Sequence, residues 1–168
     1  MSIVKRWSII AMLLAMAIIL SIVESFIPIW VPGVKLGLAN VIILIMLYEF
    51  KSTEAFLVQL LRILIASLLR GTFLGPQFAM SIAGGLLAFI GMFLFVRIKL
   101  FTPVGVSAFG AVCHATGQIL AAMWLLGTGA VIYYLPFIMA LSLATGIVSG
   151  IIADIYLKRS ITNRFIEN

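Results

Sequence analysis

Apolar residues run along this chain in six stretches of helix length, near residues 7–25, 36–50, 53–70, 77–96, 104–126 and 131–157. Within each stretch they are continuous rather than alternating, which excludes a β-barrel and predicts an all-α bundle, a single integral membrane domain over 1–168. The breaks are residues that end helices. Glu24 and Ser25 close the first stretch, followed by Pro28, Trp30, Pro32 and Gly33, with Trp30 suited to interface depth. Glu49, Lys51, Ser52 and Glu54 form the next turn, with Ser52 or Thr53 as the expected cap of helix three. Gly71, Gly75 and Pro76, then Arg97, Lys99 and Pro103, then Gly127–Gly129 mark the remaining turns. Lys5 and Arg6 before an apolar run resemble a signal peptide, and Ala15-Met16-Ala17 mimics a cleavage site. That triplet lies inside the run, so the stretch reads as a first transmembrane helix.

Composition supports a polytopic membrane protein: of 168 residues, 64% are hydrophobic and 10% charged, with a mean hydropathy of +1.30. The excess of 11 Lys and Arg over 5 acids reports orientation rather than nucleic-acid binding. With the N-terminus inside, Lys5, Arg6, Lys51, Arg97, Lys99, Lys158, Arg159 and Arg164 fall on the cytoplasmic face. Both termini are then cytoplasmic. Only Lys35, Arg62 and Arg70 remain toward the outside, where orientation does not explain them. No GxxxxGK[ST] loop is present, so any pumping draws energy from a partner. The acids Glu24, Glu49, Glu54, Asp154 and Glu167 are scattered and cannot hold magnesium against a diphosphate. Cys113 is the single cysteine, and His114 lacks companions for a metal or a nucleophilic triad. The chain reads as non-catalytic, with no cofactor and no metal.

Arg62 and Arg70 stand in an otherwise apolar helix, where an arginine costs at least a few kcal/mol without a partner or a task. Eight residues separate them by about 12 Å along the axis and roughly 80° in azimuth, so both can face one cavity. The competing reading has Arg70 reaching for the headgroups and Arg62 paired with Glu24. Gln59 shares a face with Arg62, and His114 with Gln118 four residues on; Gly110, Gly117 and Ala121 beside them form a close-packing surface. Glu24, Lys35, Asn40, Gln59, Arg62, Arg70, His114 and Gln118 are therefore the candidate substrate-binding residues, and their cationic excess suits a carboxylate, phosphate or diphosphate. Phe26, Trp30, Phe73, Phe78, Trp124, Tyr133 and Tyr134 either wall an amphipathic ligand or form an interfacial belt. On helix four, Ser81, Gly84, Gly85, Ala88 and Gly91 form a small-residue stripe for tight packing. On helix one, Ala11 and Ala15 form an A-x-x-x-A groove that a partner helix can cross.

Six short spans, A-x-x-x-A in helix one and no ATPase motif resemble the substrate-binding S components of energy-coupling factor (ECF) transporters. Within them the chain resembles the Gx transporter family, also labelled heptaprenyl diphosphate synthase component I. The residues carrying this are Glu24-Ser25, PGVKLGLAN over 32–40, Leu60 to Arg62, SIAGGLL over 81–87, GAVCHATGQ over 110–118 and YYLP over 133–136. The resemblance implies a six-helix S component in a bacterial plasma membrane that captures its substrate outside. It implies docking through Ala11 and Ala15 onto a membrane coupling subunit driven by two cytoplasmic ATPases. The substrate would be an anionic amphiphile such as an isoprenoid diphosphate, a quinone precursor or a flavin-like compound. The alternative is a non-catalytic membrane subunit assisting isoprenoid or menaquinone synthesis or a membrane redox assembly, with Lys158, Arg159 and Arg164 as its docking surface. A channel is the weakest reading, since no repeated polar stripe would line a pore.

Overall fold

The computed structural model describes residues 3–27, 35 and 37–166, with side chains described through Ser160. Pro28, Trp30, Pro32, Gly33, Leu36 and Glu167, and the side chain of Arg164, lie outside the described residues. The chain is helical: α1 Ile3–Glu24, α2 Asn40–Glu49, α3 Ser52–Leu69, α4 Pro76–Ile98, α5 Pro103–Leu126, a 3₁₀ helix Gly129–Tyr134 and α6 Leu135–Ile166. Among the described residues, five helices are long and apolar enough to cross a membrane. The chain is thus a multi-pass helical membrane protein.

Helix two departs from expectation. It has ten residues, about 15 Å at 1.5 Å per residue, half of a bilayer's hydrocarbon thickness. It starts at Asn40 rather than near residue 36 because Gly37 takes a left-handed φ of +86°, and Glu24 draws the amides of Gly37 and Leu38 to its carboxylate. Asn40 and every residue from Val41 to Leu47 are buried, so α2 is enclosed by its neighbours on all sides rather than amphipathic. Such a helix needs no lipid-facing side.

Two other boundaries shift for local reasons. Lys51, not Ser52 or Thr53, is the N-cap of α3; its amide donates to Glu54 Oε2 at 3.0 Å. Arg6 holds the same carboxylate from α1, with Nη2 to Oε2 at 2.7 Å, tying the starts of α1 and α3 at one end of the bundle. Helix six opens with a 3₁₀ turn before residue 135. Pro136 lacks an amide proton and is accommodated in the first turn of α6.

The core has two apolar clusters. One joins Ile10, Leu13 and Ala17 of α1 to α2, Val58, Met92 and Val106; the other joins Met80, Ala115, Ile119, Ala122, Val131 and Ile138. Helices α4 and α5 are the most closely packed pair, followed by α5 and α6. At Gly117 an added Cβ would stand 2.6 Å from the carbonyl oxygen of Ala83 and 2.9 Å from the Cα of Gly84. The two backbones nearly touch there, as small residues permit between membrane helices. This approach brings His114 and Gln118 of α5 against α4.

Lys51, Arg97 and Lys99 line a cavity at the Arg6–Glu54 end. Lys35, Arg62 and Arg70 line a different one, beyond Ser21 and toward the α3–α4 turn. Lys51, Arg97 and Lys99 are thus separate from Lys35, Arg62 and Arg70.

Candidate functional site

Helical periodicity on α3 places Arg62, Ile63, Ala66, Ser67 and Arg70 on one stripe. These residues, with Ser21 and Glu24 of α1, Lys35, Thr72, Ser81 of α4 and His114 of α5, line a cavity of about 10 Å³. That volume holds about one water molecule. The site is closed around its own side chains.

Arg62 is 3% exposed and fully engaged with neutral groups. Its Nε donates to Gln59 Oε1 at 2.8 Å, Nη1 to Ser21 Oγ at 3.3 Å and Nη2 to Asn40 Oδ1 at 2.6 Å. Gln59 is anchored in turn, Nε2 donating to the Gly85 carbonyl at 2.7 Å. The expected Arg62–Glu24 pair does not form. Glu24, 2% exposed, accepts from the Gly37 amide and from Leu38 N at 3.0 Å. Backbone amides ahead of α2 compete better for the carboxylate because they point at it along the positive end of that helix. Glu24 thus shapes the loop, and Arg62 is held by Gln59, Ser21 and Asn40.

Lys35 is buried against α4 and α5. Its amide donates to Gln118 Oε1 at 3.0 Å, and its Nζ donates to Ser81 Oγ at 3.2 Å. Arg70 closes the rim, Nη2 donating to Gln77 Oε1 at 3.1 Å. Burial, with Arg70 nearby, lowers the Lys35 pKa to about 8, and burial lowers that of Arg70 as well. Three cations therefore face one carboxylate across the cavity, and none of the three has a carboxylate within hydrogen-bond reach.

Several buried polar atoms are also unspent. Asn40 Nδ2, both ring nitrogens of His114 and Gln118 Nε2 have no hydrogen-bond partner, although all three side chains are at most 4% exposed. Buried polar groups are nearly always satisfied, so these are places for a ligand atom or water. Asn40 and His114 meet at Gly37, where a Cβ would stand 2.9 Å from Asn40 Nδ2 and 3.5 Å from His114 Cδ2, and His114 and Gln118 meet at Gly84.

All eight residues expected from the sequence thus belong to one polar assembly, although Asn40, Gln59 and Gln118 support it rather than line the cavity. Ser21, Ser67 and Thr72 were missed. Ser21 lies one turn before Glu24 and Ser67 on the Arg62–Arg70 stripe, so periodicity held the signal for both. Thr72 lies in the turn, where none existed. The aromatic wall is corrected: among the described residues, none of the proposed aromatics lines the cavity, and Trp30 lies outside them. Phe26, Trp124 and Tyr133 are each at least 80% exposed, and Phe73 stacks edge-on with Phe78 at 5.0 Å. Their exposure fits the interfacial belt. Ala11 and Ala15 lie exposed on the outer face of α1.

Lys35 yields a pH prediction. Below about pH 8 it is charged and attracts an anion; above that it loses its proton. Affinity for sulfate, whose charge is constant over pH 6–9, is expected to fall several-fold from pH 7 to 9, read by thermal-shift titration at each pH. Stability moves oppositely: between about 8 and the ordinary 10.5 the unfolded chain binds more protons, so stability rises with pH. A flat sulfate affinity would remove Lys35 from the site.

A family model described as heptaprenyl diphosphate synthase component I matches residues 13–156. No curated protein matches the chain, and no solved structure does.

Proposed function

The chain belongs to the heptaprenyl diphosphate synthase component I family, and from that membership and its buried cationic site we propose that it is a substrate-binding S component of an ECF importer. It captures an anionic, amphipathic small molecule on the extracellular side of a bacterial plasma membrane. The observation that carries this reading is the charge imbalance: Lys35, Arg62 and Arg70 face one cavity with Glu24 as the one carboxylate among its described lining residues, and Glu24 is spent on backbone amides. Buried cations without counterions are costly in a membrane protein, and an incoming anion offsets that cost.

An anion entering here displaces the Lys35–Ser81 bond and gains the Nζ of Lys35, the guanidinium of Arg70 and the one ring N–H of His114. Arg62 supplies field from beneath while Asn40, Gln59 and Gln118 hold the frame. In this reading the bundle crosses the bilayer six times with both termini inside, the short α2 being one of the crossings. Ala11 and Ala15 offer a shallow exposed groove for the coupling subunit, with two cytoplasmic ATPases supplying energy.

The family description favours a second reading, a non-catalytic membrane subunit of a synthase. Native mass spectrometry of the purified protein, with identification of co-purifying proteins, separates the two. A retained small anion and an ATPase-bearing module are expected. A soluble synthase bound in place of both would overturn the importer.

A further inference from the structure

The polar cavity holds about one water, too little for a ligand of useful size. Beside it lies a cavity of about 570 Å³ between the α3–α4 turn and the end of α5. Its walls are largely apolar, formed by Pro76, Met80, Ala122, Leu125 and Leu126. The two spaces share Thr72 as a lining residue. Gln77 lines the apolar space and accepts from Arg70, which lines the polar one. One turn along α4, Ser81 accepts from Lys35 Nζ and donates to the Gln77 carbonyl at 2.7 Å. Charge and apolar volume thus meet at one seam.

We propose that the ligand is a single-chain amphiphile: its anionic head sits between Arg70 and Lys35, and its apolar chain lies in the groove formed by Met80, Ala122, Leu125 and Leu126. This rests on the reading of the polar cavity as the ligand site. At about 570 Å³ the groove has room for a hydrocarbon chain, where the polar cavity has none. A bare inorganic anion would leave it empty. The match of charge at one end to apolar wall at the other is what selects this groove. A second apolar cavity, about 630 Å³ between α1, α2 and α6, shares no described lining residue with the cationic cavity.

The test uses the full chain in phosphatidylcholine nanodiscs, with inorganic diphosphate as the head-only probe and geranyl diphosphate as head plus chain. The wild type is expected to bind geranyl diphosphate at least tenfold more tightly. Leu126→Ser, a neutral change at a position 66% exposed at the end of α5, and Leu125→Trp are expected to reduce that advantage to under threefold. Neither variant should change the affinity for inorganic diphosphate. Equal affinity for the two probes, or an advantage that survives both variants, overturns the chain groove while the cationic site stands. Failure of both probes to bind the wild type overturns the cationic site itself. Loss of geranyl diphosphate on adding phosphatidylglycerol would assign the groove to lipid and overturn the single-chain ligand.

Discussion

Replacing Arg62 by Ala is expected to weaken diphosphate binding by roughly 10- to 150-fold. That range corresponds to the 1.5–3 kcal/mol typical of a hydrogen bond to a charged group, at 1.4 kcal/mol per tenfold. The guanidinium joins Gln59, Ser21 and Asn40 across α3, α1 and α2. Its loss removes a buried positive field and frees all three neighbours to reorient. Arg62→Lys keeps the charge without the planar fork and is expected to fall between the two. Fluorescence-detected size exclusion checks that each variant is folded. Should Arg62→Ala fail that check, Arg70→Gln carries the test, because Arg70 is a rim residue bonded to one side chain. Unchanged affinity in a folded Arg62 variant would reduce this arginine to a structural tie.

Gly117→Ala is expected to destabilise the protein by about 2–3 kcal/mol, the upper part of the range for overpacking a tight interface. The new methyl meets the Ala83 carbonyl oxygen at 2.6 Å and carbon at 2.9 Å, and backbone atoms cannot rotate away. α4 and α5 must separate, which also draws His114 and Gln118 away from Lys35. Ligand affinity should therefore fall with stability. Gly129→Ala is the control, since an added Cβ there meets nothing within 4 Å. Thermal unfolding of both variants in one detergent checks the difference, and equal midpoints would mean that the helix pair yields without cost.

Helix count and membrane character were legible because both follow from long apolar runs interrupted by Gly, Pro and charge, a signal local to each run. The conspicuous site residues were legible for a related reason. An Arg, His or Gln in a run of Leu and Ile is costly in lipid and must find a polar partner, whichever fold results. Arg62, His114 and Gln118 stood out on that ground alone. Partner choice was not legible. Glu24 and Arg62 looked like a pair by charge, yet the decision fell to the turn at Gly37, which aims two amides at Glu24. The start of α2 escaped for the same reason, because the apolar run continues through residues that a left-handed glycine removes from the helix.

Aromatic residues show the same limit from the other side. Phe26, Trp124 and Tyr133 suit a ligand wall and an interfacial belt equally by type, and only their exposure distinguishes the two. Residue chemistry and periodicity thus established an all-helical membrane protein with an unexplained cation cluster, since the cost of a charge in lipid depends on the residue and its flanks. The closure of the cavity to one water, the neutral cradle around Arg62 and the seam between polar and apolar space arose only in three dimensions. Each depends on helices far apart in the chain meeting at distances set by glycine contacts, which no local pattern encodes.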